Sequence, residues 1–208
     1  NKISDIIESW FVEDTTAMVA SKPTANPQSY SAASPKSSKF YALEAFIKDP
    51  IDDAEWVDGQ IVEKANMTVK HGSVQSRLTR LWGNFADTQK LGDVVVEAPC
   101  CTLKQVRRPD VAFISTVLLE KCGKPATFPE SFPLISEIVS PTDRAEDIFA
   151  KAKEYLASGC QEVWMVFPEA QWVLVLTEKQ HLWFVGDEVA TAQSVLKGFS
   201  VKVKDLVN

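Results

Sequence analysis

Phe132-Pro133-Leu134-Ile135-Ser136-Glu137-Ile138-Val139 reads as a β-strand buried on both faces, with one residue out of character. A near-continuous apolar run of this length is what an interior strand of an α/β sheet requires. Glu137 interrupts it, and a carboxylate in such a setting is rarely buried unless paired or bound to a metal ion. Side chains alternate along a strand, so Ile135, Glu137 and Val139 share one face while Leu134, Ser136 and Ile138 share the other.

Downstream, Ser140-Pro141-Thr142-Asp143 has the form of a capping box with proline at the first helical position. It predicts a helix running to about Ser158 and stopped by Gly159, with Ile148, Ala152, Ala145, Leu156 and Phe149 as its buried stripe. Residues 162–167 follow as a buried strand. Trp172, Leu174 and Leu176 alternate with their neighbours as an edge strand does, and residues 181–185 add another. Upstream, strands are expected over residues 110–114, around 100–104 and over 94–97. Val74, Leu78, Leu81, Trp82 and Phe85 mark a helix over 73–89. Asp58-Gly59 sits between two short strand-like runs, a strong hairpin signal, and Tyr41, Leu43, Phe46 and Ile47 suggest a helical turn or two before it.

Residues 22–39 carry Pro, Ser, Ala and Lys with almost no large apolar side chains, and read as a flexible linker. Ile3, Ile6, Ile7, Trp10 and Phe11 before it form an amphipathic helix, leaving residues 1–39 as an appendage and 40–208 as the compact domain. The fold class is α/β, a central mixed β-sheet flanked by helices, with a β-hairpin in front.

Bulk properties narrow the function classes. The 208 residues carry a formal net charge of −6, which argues against coating nucleic acid by bulk attraction. No apolar run approaches the ~20 residues of a membrane-spanning helix, and nothing at the start resembles a secretory signal. Cys100, Cys101, Cys122 and Cys160 include no C-x-x-C pair, so a zinc site with His71 and His181 is disfavoured against four buried thiols in a reducing cytoplasm.

Asp110 closes Val106-Arg107-Arg108-Pro109-Asp110 at the entrance of an apolar strand, where the missing N–H of Pro109 costs little. Alone, it reads more readily as a surface acid paired with Arg107 or Arg108. Lys151 lies at the margin of the helix after Glu137, with Lys153 as the rival on the opposite margin; an exposed Asp147–Lys151 pair is the plain alternative. Together the three suit phosphodiester hydrolysis. Two carboxylates from adjacent strands can hold Mg²⁺ or Mn²⁺, and a lysine can orient or deprotonate the attacking water and offset phosphate charge.

The stretches Glu55-Trp56-Val57-Asp58-Gly59-Gln60-Ile61-Val62, Val106 to Ser115 and Ser136 to Pro141 resemble the Uma-type family of putative restriction endonucleases, abundant in cyanobacteria. So does the run from Asp147 to Trp164, with Lys151, Tyr155 and Gly159 in register; the resemblance covers roughly residues 40–185. It implies the PD-(D/E)XK nuclease fold, a restriction-endonuclease-like core with a metal site and often a homodimer. Pro109-Asp110 matches the PD element and Glu137 its acidic partner. Val139 stands where the lysine belongs, and the family's displaced lysine maps to Lys151. Glu55 matches an N-terminal glutamate that completes the site.

The reading that follows is a Mg²⁺- or Mn²⁺-dependent DNA endonuclease, with Asp110 and Glu137 on the metal, Lys151 serving the water and Glu55 as a secondary acid. Lys104, Arg107, Arg108 and Arg144 are candidates for a phosphate-binding face. The alternative is a nuclease-fold protein that binds nucleic acid or a protein partner without cutting. His71 reads first as a capping or turn residue, with an approach to the site as the alternative, and the tryptophans as core or interface.

Overall fold

The computed structural model describes residues 40–64 and 67–208, so the helix and linker expected over residues 1–39 lie outside the described residues. A short helix, α1 (Leu43–Lys48), precedes the hairpin β1 (Ala54–Val57) and β2 (Gln60–Glu63). Asp58 and Gly59 hold the turn at φ +49° and +81°, the left-handed conformation that a two-residue hairpin demands. The long helix α2 (Val69–Gln89) begins four residues before the expected position, because Thr68 caps it by accepting from the His71 N–H. Val69 in that first turn is 92% exposed, so apolar periodicity carries no trace of it.

The central sheet contains β3 (Gly92–Val96), β6 (Val111–Ser115), β7 (Leu134–Ile138), β8 (Glu162–Phe167), β9 (Trp172–Leu176) and β10 (His181–Val185). Their order is β10-β9-β8-β7-β6-β3; β7 and β8 run parallel and every other pair is antiparallel, making the sheet mixed as expected. At the start of β3 an added Cβ on Gly92 would fall 2.0 Å from the Ile114 carbonyl oxygen, so only glycine permits that approach. β9 is interior, not an edge: residues 173–176 are all buried, and the edge is β10, whose His181, Trp183 and Val185 are exposed.

β4 (Cys100–Cys101) and β5 (Val106–Arg107) join the hairpin in a second sheet of order β2-β1-β5-β4. The strand expected around residues 100–104 stops after two residues, because the Thr102 N–H donates to the Gln105 carbonyl and turns the chain back. α3 (Thr116–Cys122) follows β6, and β11 (Val189–Thr191) pairs with β12 (Ser200–Lys202) ahead of α5 (Val203–Val207).

Strand parity sorts the core into two layers. Val111, Phe113, Leu134, Ile138 and Trp164 pack against Val74, Leu78, Trp82 and Ala86 of α2. On the opposite face Ala112, Ile114, Ile135, Val163 and Met165 meet Ala152 and Tyr155 of the helix α4 (Ala145–Ala157). Each large side chain fully buried in these layers contributes about 1.5–3 kcal/mol. Cys100 and Cys101 point to different clusters, as alternation requires. Burial pushes the Cys101 and Cys160 thiols up to about 12, leaving them inert at neutral pH; Cys122 is only half-buried.

α4 is the crossover between parallel β7 and β8. It starts at Ala145, later than the capping signature predicts, because Ser140–Asp143 closes as a turn of its own. Asp143 Oδ2 accepts from the Ser140 N–H at 2.8 Å, and the Asp143 N–H donates to the Ser140 carbonyl at 3.0 Å. The stop at Gly159, φ +94°, falls where expected. The buried stripe is Ala152 and Tyr155, whereas Phe149 is exposed, because the first turns of α4 overhang a cleft lined by Asp147, Ile148 and Ala150. Among the described residues, no helix is long and apolar enough to cross a membrane.

Candidate active site

Sheet register sets three carboxylates side by side. β6 and β7 pair Val111 with Ser136 and Ala112 with Ile135, so one more step along both brings Asp110 opposite Glu137. β3 and β6 pair Val96 with Val111, and the same step brings Glu97 opposite Asp110. Parity turns Glu137 to the face shared with Ile135, the face that α4 covers. In the second sheet Trp56 pairs with Val106, which puts Glu55 beside Arg107. These acids meet in a cleft of about 830 Å³.

Asp110 is 3% exposed. Its Oδ2 accepts from the Ile138 N–H at 2.6 Å and lies 3.2 Å from His71 Nε2, and its Oδ1 accepts from Lys64 Nζ at 2.8 Å. Burial alone would raise its pKa; the hydrogen bond from His71 and the charge of Lys64 overcome it and hold Asp110 well below the usual carboxylate range. The same contact raises His71, against the effect of its burial.

Lys151 Nζ lies 2.8 Å from Glu55 Oε1 and 3.0 Å from Glu137 Oε1, whereas Lys153 is exposed on the far side of α4. Of the two candidate lysines, Lys151 reaches the acids. Tyr155, one turn further along α4, donates its hydroxyl to Glu137 Oε1 at 2.7 Å. Among the described residues, Glu137 Oε2 has no protein donor. Burial pushes the Glu137 carboxyl up to about 7; Lys151 opposes the shift and Asp110 adds to it. Burial also works on Glu55, but Lys151, Arg107 and the Arg108 N–H outweigh it and lower its pKa. Burial acts against a charge on Lys151 too, yet Glu137 and Glu55 hold its pKa well above the ordinary value. The pairing with these two acids favours its ammonium form.

Of the expected basic face, only Arg144 presents an exposed guanidinium to the cleft, and Asp147 Oδ2 lies 3.9 Å from its Nε. Arg107 lines the cleft, but its guanidinium is held by Glu55 at 3.1 Å and by Glu154 at 2.5 Å. Arg108 is buried and donates to the carbonyls of Ile51, Ala54 and Glu97, which makes it a clamp between segments. Lys104 sits in an exposed turn outside the cleft lining.

Two contributors, Glu97 and Lys64, escape the sequence reading, and a third, His71, is read there chiefly as a cap. Glu97 follows the apolar run Val94-Val95-Val96 as an acid closing a strand, a weaker signal than Glu137 inside one; its φ of +50° turns it toward Asp110. Lys64 donates to Glu97 Oε2 at 2.5 Å and to Asp110 Oδ1, and nothing local distinguishes it from a solvated lysine after a hairpin. His71 combines the expected capping N–H with a side chain that reaches the site.

Among solved structures, the crystal structure of a putative nuclease from Anabaena variabilis ATCC 29413 matches with a TM-score of 0.68 at 21% identity, covering 74% of this chain and 89% of that one. At that identity the likeness concerns the fold. No curated protein matches the chain. The Uma2 family model, described as Putative restriction endonuclease, matches residues 37–204. That span takes in both sheets and every acid and lysine gathered in the cleft, and by it the chain belongs to the Uma2 family of putative restriction endonucleases.

Proposed function

We propose that this chain is a metal-dependent endonuclease that hydrolyses phosphodiester bonds in DNA. The observation that carries this reading is the meeting of Asp110, Glu137 and Lys151, from two strands and a helix, in one cleft. Asp110 and Glu137 would hold Mg²⁺ or Mn²⁺. Among the described residues no three acidic, thiol or imidazole groups converge closely enough to wrap an ion unaided. Mg²⁺ does not require that, since one or two carboxylates with water and phosphate oxygens suffice. The donors are of the right kind, hard carboxylate oxygens, and the cleft lining they belong to carries more acids than bases.

When bound, the metal supplies Lewis acidity and a water of lowered pKa. Glu137 and Asp110, side by side on adjacent strands, would hold the ion. Glu55 and Tyr155 fix the partners of Glu137: the first locks the Lys151 ammonium, the second occupies Oε1. Lys151 then places positive charge where the attacked phosphate accumulates negative charge. A homodimer and a cytoplasmic setting complete the proposal, the former open to a sedimentation measurement.

Calorimetric titration with Mn²⁺ tests the site without knowledge of the DNA target. Binding in wild type, lost in both Asp110→Asn and Glu137→Gln, is the expected outcome; binding undiminished in either variant defeats the assignment. A second reading, a nuclease-fold module that binds without cutting, is favoured by the acidic cleft, where Asp53, Glu63, Asp143 and Asp147 join the central acids. DNA binding indifferent to divalent metal, with no cleavage product, would support that reading instead.

A further inference from the structure

We propose that the Lys64 ammonium stands in the place of a second divalent cation, so that the site takes one ion per chain; this rests on the metal-dependent reading above. Lys64 Nζ has three hydrogen-bond donors and spends all of them on oxygens: Glu97 Oε2 at 2.5 Å, Asp110 Oδ1 at 2.8 Å and the Arg108 carbonyl at 2.9 Å. Two carboxylates from adjacent strands and a main-chain carbonyl form a hard-oxygen donor set of the kind divalent cations take. Residues other than Lys64 also hold this cage in shape. Gln75 donates at 2.9 Å to both Glu97 Oε1 and the Asp110 carbonyl, and the left-handed backbone at Glu97 keeps its carboxylate turned inward.

Lone-pair accounting at Asp110 explains the limit of one ion. A carboxylate offers about four acceptor positions. The Ile138 N–H and His71 approach the two on Oδ2 and Lys64 one of those on Oδ1, which leaves one. Two-metal nuclease sites place their ions roughly 3.5–4 Å apart, with carboxylate oxygens shared between them. Here the oxygen that a second ion would share already accepts from an ammonium tethered to the chain.

The test counts Mn²⁺ per chain, by paramagnetic resonance of the free ion and by calorimetry, in the full-length wild type, Lys64→Met, Lys64→Gln and the double variant Lys64→Met/Glu97→Gln. One ion in wild type, two in each single variant and one in the double variant is the expected result. Two ions in wild type, or one in both single variants, overturns the proposal. No ion in wild type but one in Lys64→Met would defeat the metal-dependent reading and leave the role of Lys64 standing; no ion in any protein defeats both. Removing the ammonium leaves buried acids unpaired, so a Lys64 variant that folds only with Mn²⁺ present supports the proposal. If neither single variant folds even with Mn²⁺, the cage does not accept the ion and the proposal fails.

Discussion

Burial raises Glu137 to about 7 from an ordinary 4.5, and this gives the site a pH dependence of definite sign. An acid whose pKa rises on folding binds its proton more tightly in the folded chain. Its contribution to stability is therefore greatest below 4.5 and declines as pH climbs toward 7. Metal binding runs the other way, because the ion competes with that proton. Mn²⁺ affinity is expected to rise about tenfold per pH unit up to roughly 7 and to level off above it, as calorimetry between pH 5.5 and 8.5 would reveal. Asp110, held below the usual range, stays ionised throughout and adds no slope. Lys151→Met separates chemistry from binding: Mn²⁺ is retained, since Lys151 pairs with the acids and is not itself among the groups that would hold the ion, while the cleavage rate falls by about 10²–10³. Equal loss of metal and cleavage in that variant would contradict the role given to Lys151. At this scale the sequence is informative where alternation applies. An acid inside Leu134–Ile138 must face one of two layers, and parity names the layer. It is silent on Lys64, whose position depends on how a hairpin folds over a strand more than forty residues away.

Strands are the elements that sequence reveals best, because burial on both faces leaves near-continuous apolar runs, and β6, β7 and β8 all lie where such runs predict them. Helix starts are less legible, since the same few residues can cap a helix or close a turn. Ser140–Asp143 closes a turn, and Thr68 caps a helical turn with no buried apolar residue to announce it. The choice between Lys151 and Lys153 is likewise made by packing. Ala152 and Tyr155 seat α4 on the sheet, and that seating rotates Lys151 to the acids. Arg108 offers a test of element-level cohesion, because it ties Ile51 and Ala54, near the first hairpin, to Glu97 at the end of β3. Arg108→Ala leaves those carbonyls without their charged donor and is expected to lower stability by about 2–3 kcal/mol in denaturant melts. It should leave the salt dependence of DNA binding unaltered; a changed salt dependence would mean that Arg108 faces phosphate after all.

The whole molecule carries a net charge of −6, and its cleft shares that sign. With Arg144 as the one exposed arginine among the described residues of the cleft, DNA association measured by anisotropy in Mn²⁺ should show a shallow salt dependence. The expected slope of log K against log salt is no steeper than about −2, far from the slope that six to ten phosphate contacts produce. A steep slope would point to a basic surface beyond the cleft. The assembled site also divides its residues by what else they do. Asp110 joins two strands through the Ile138 N–H, so the architecture leans on it apart from any reaction. Among the described residues Lys151 pairs with Glu55 and Glu137; of these, Glu55 keeps Arg107 when the lysine is gone, and Glu137 takes up a proton readily. Over generations without selection for cutting, copies of this gene would therefore shed the lysine early and the aspartate late. A descendant with the aspartate but no lysine would be a fossil of the enzyme, intact in body and retired from its trade.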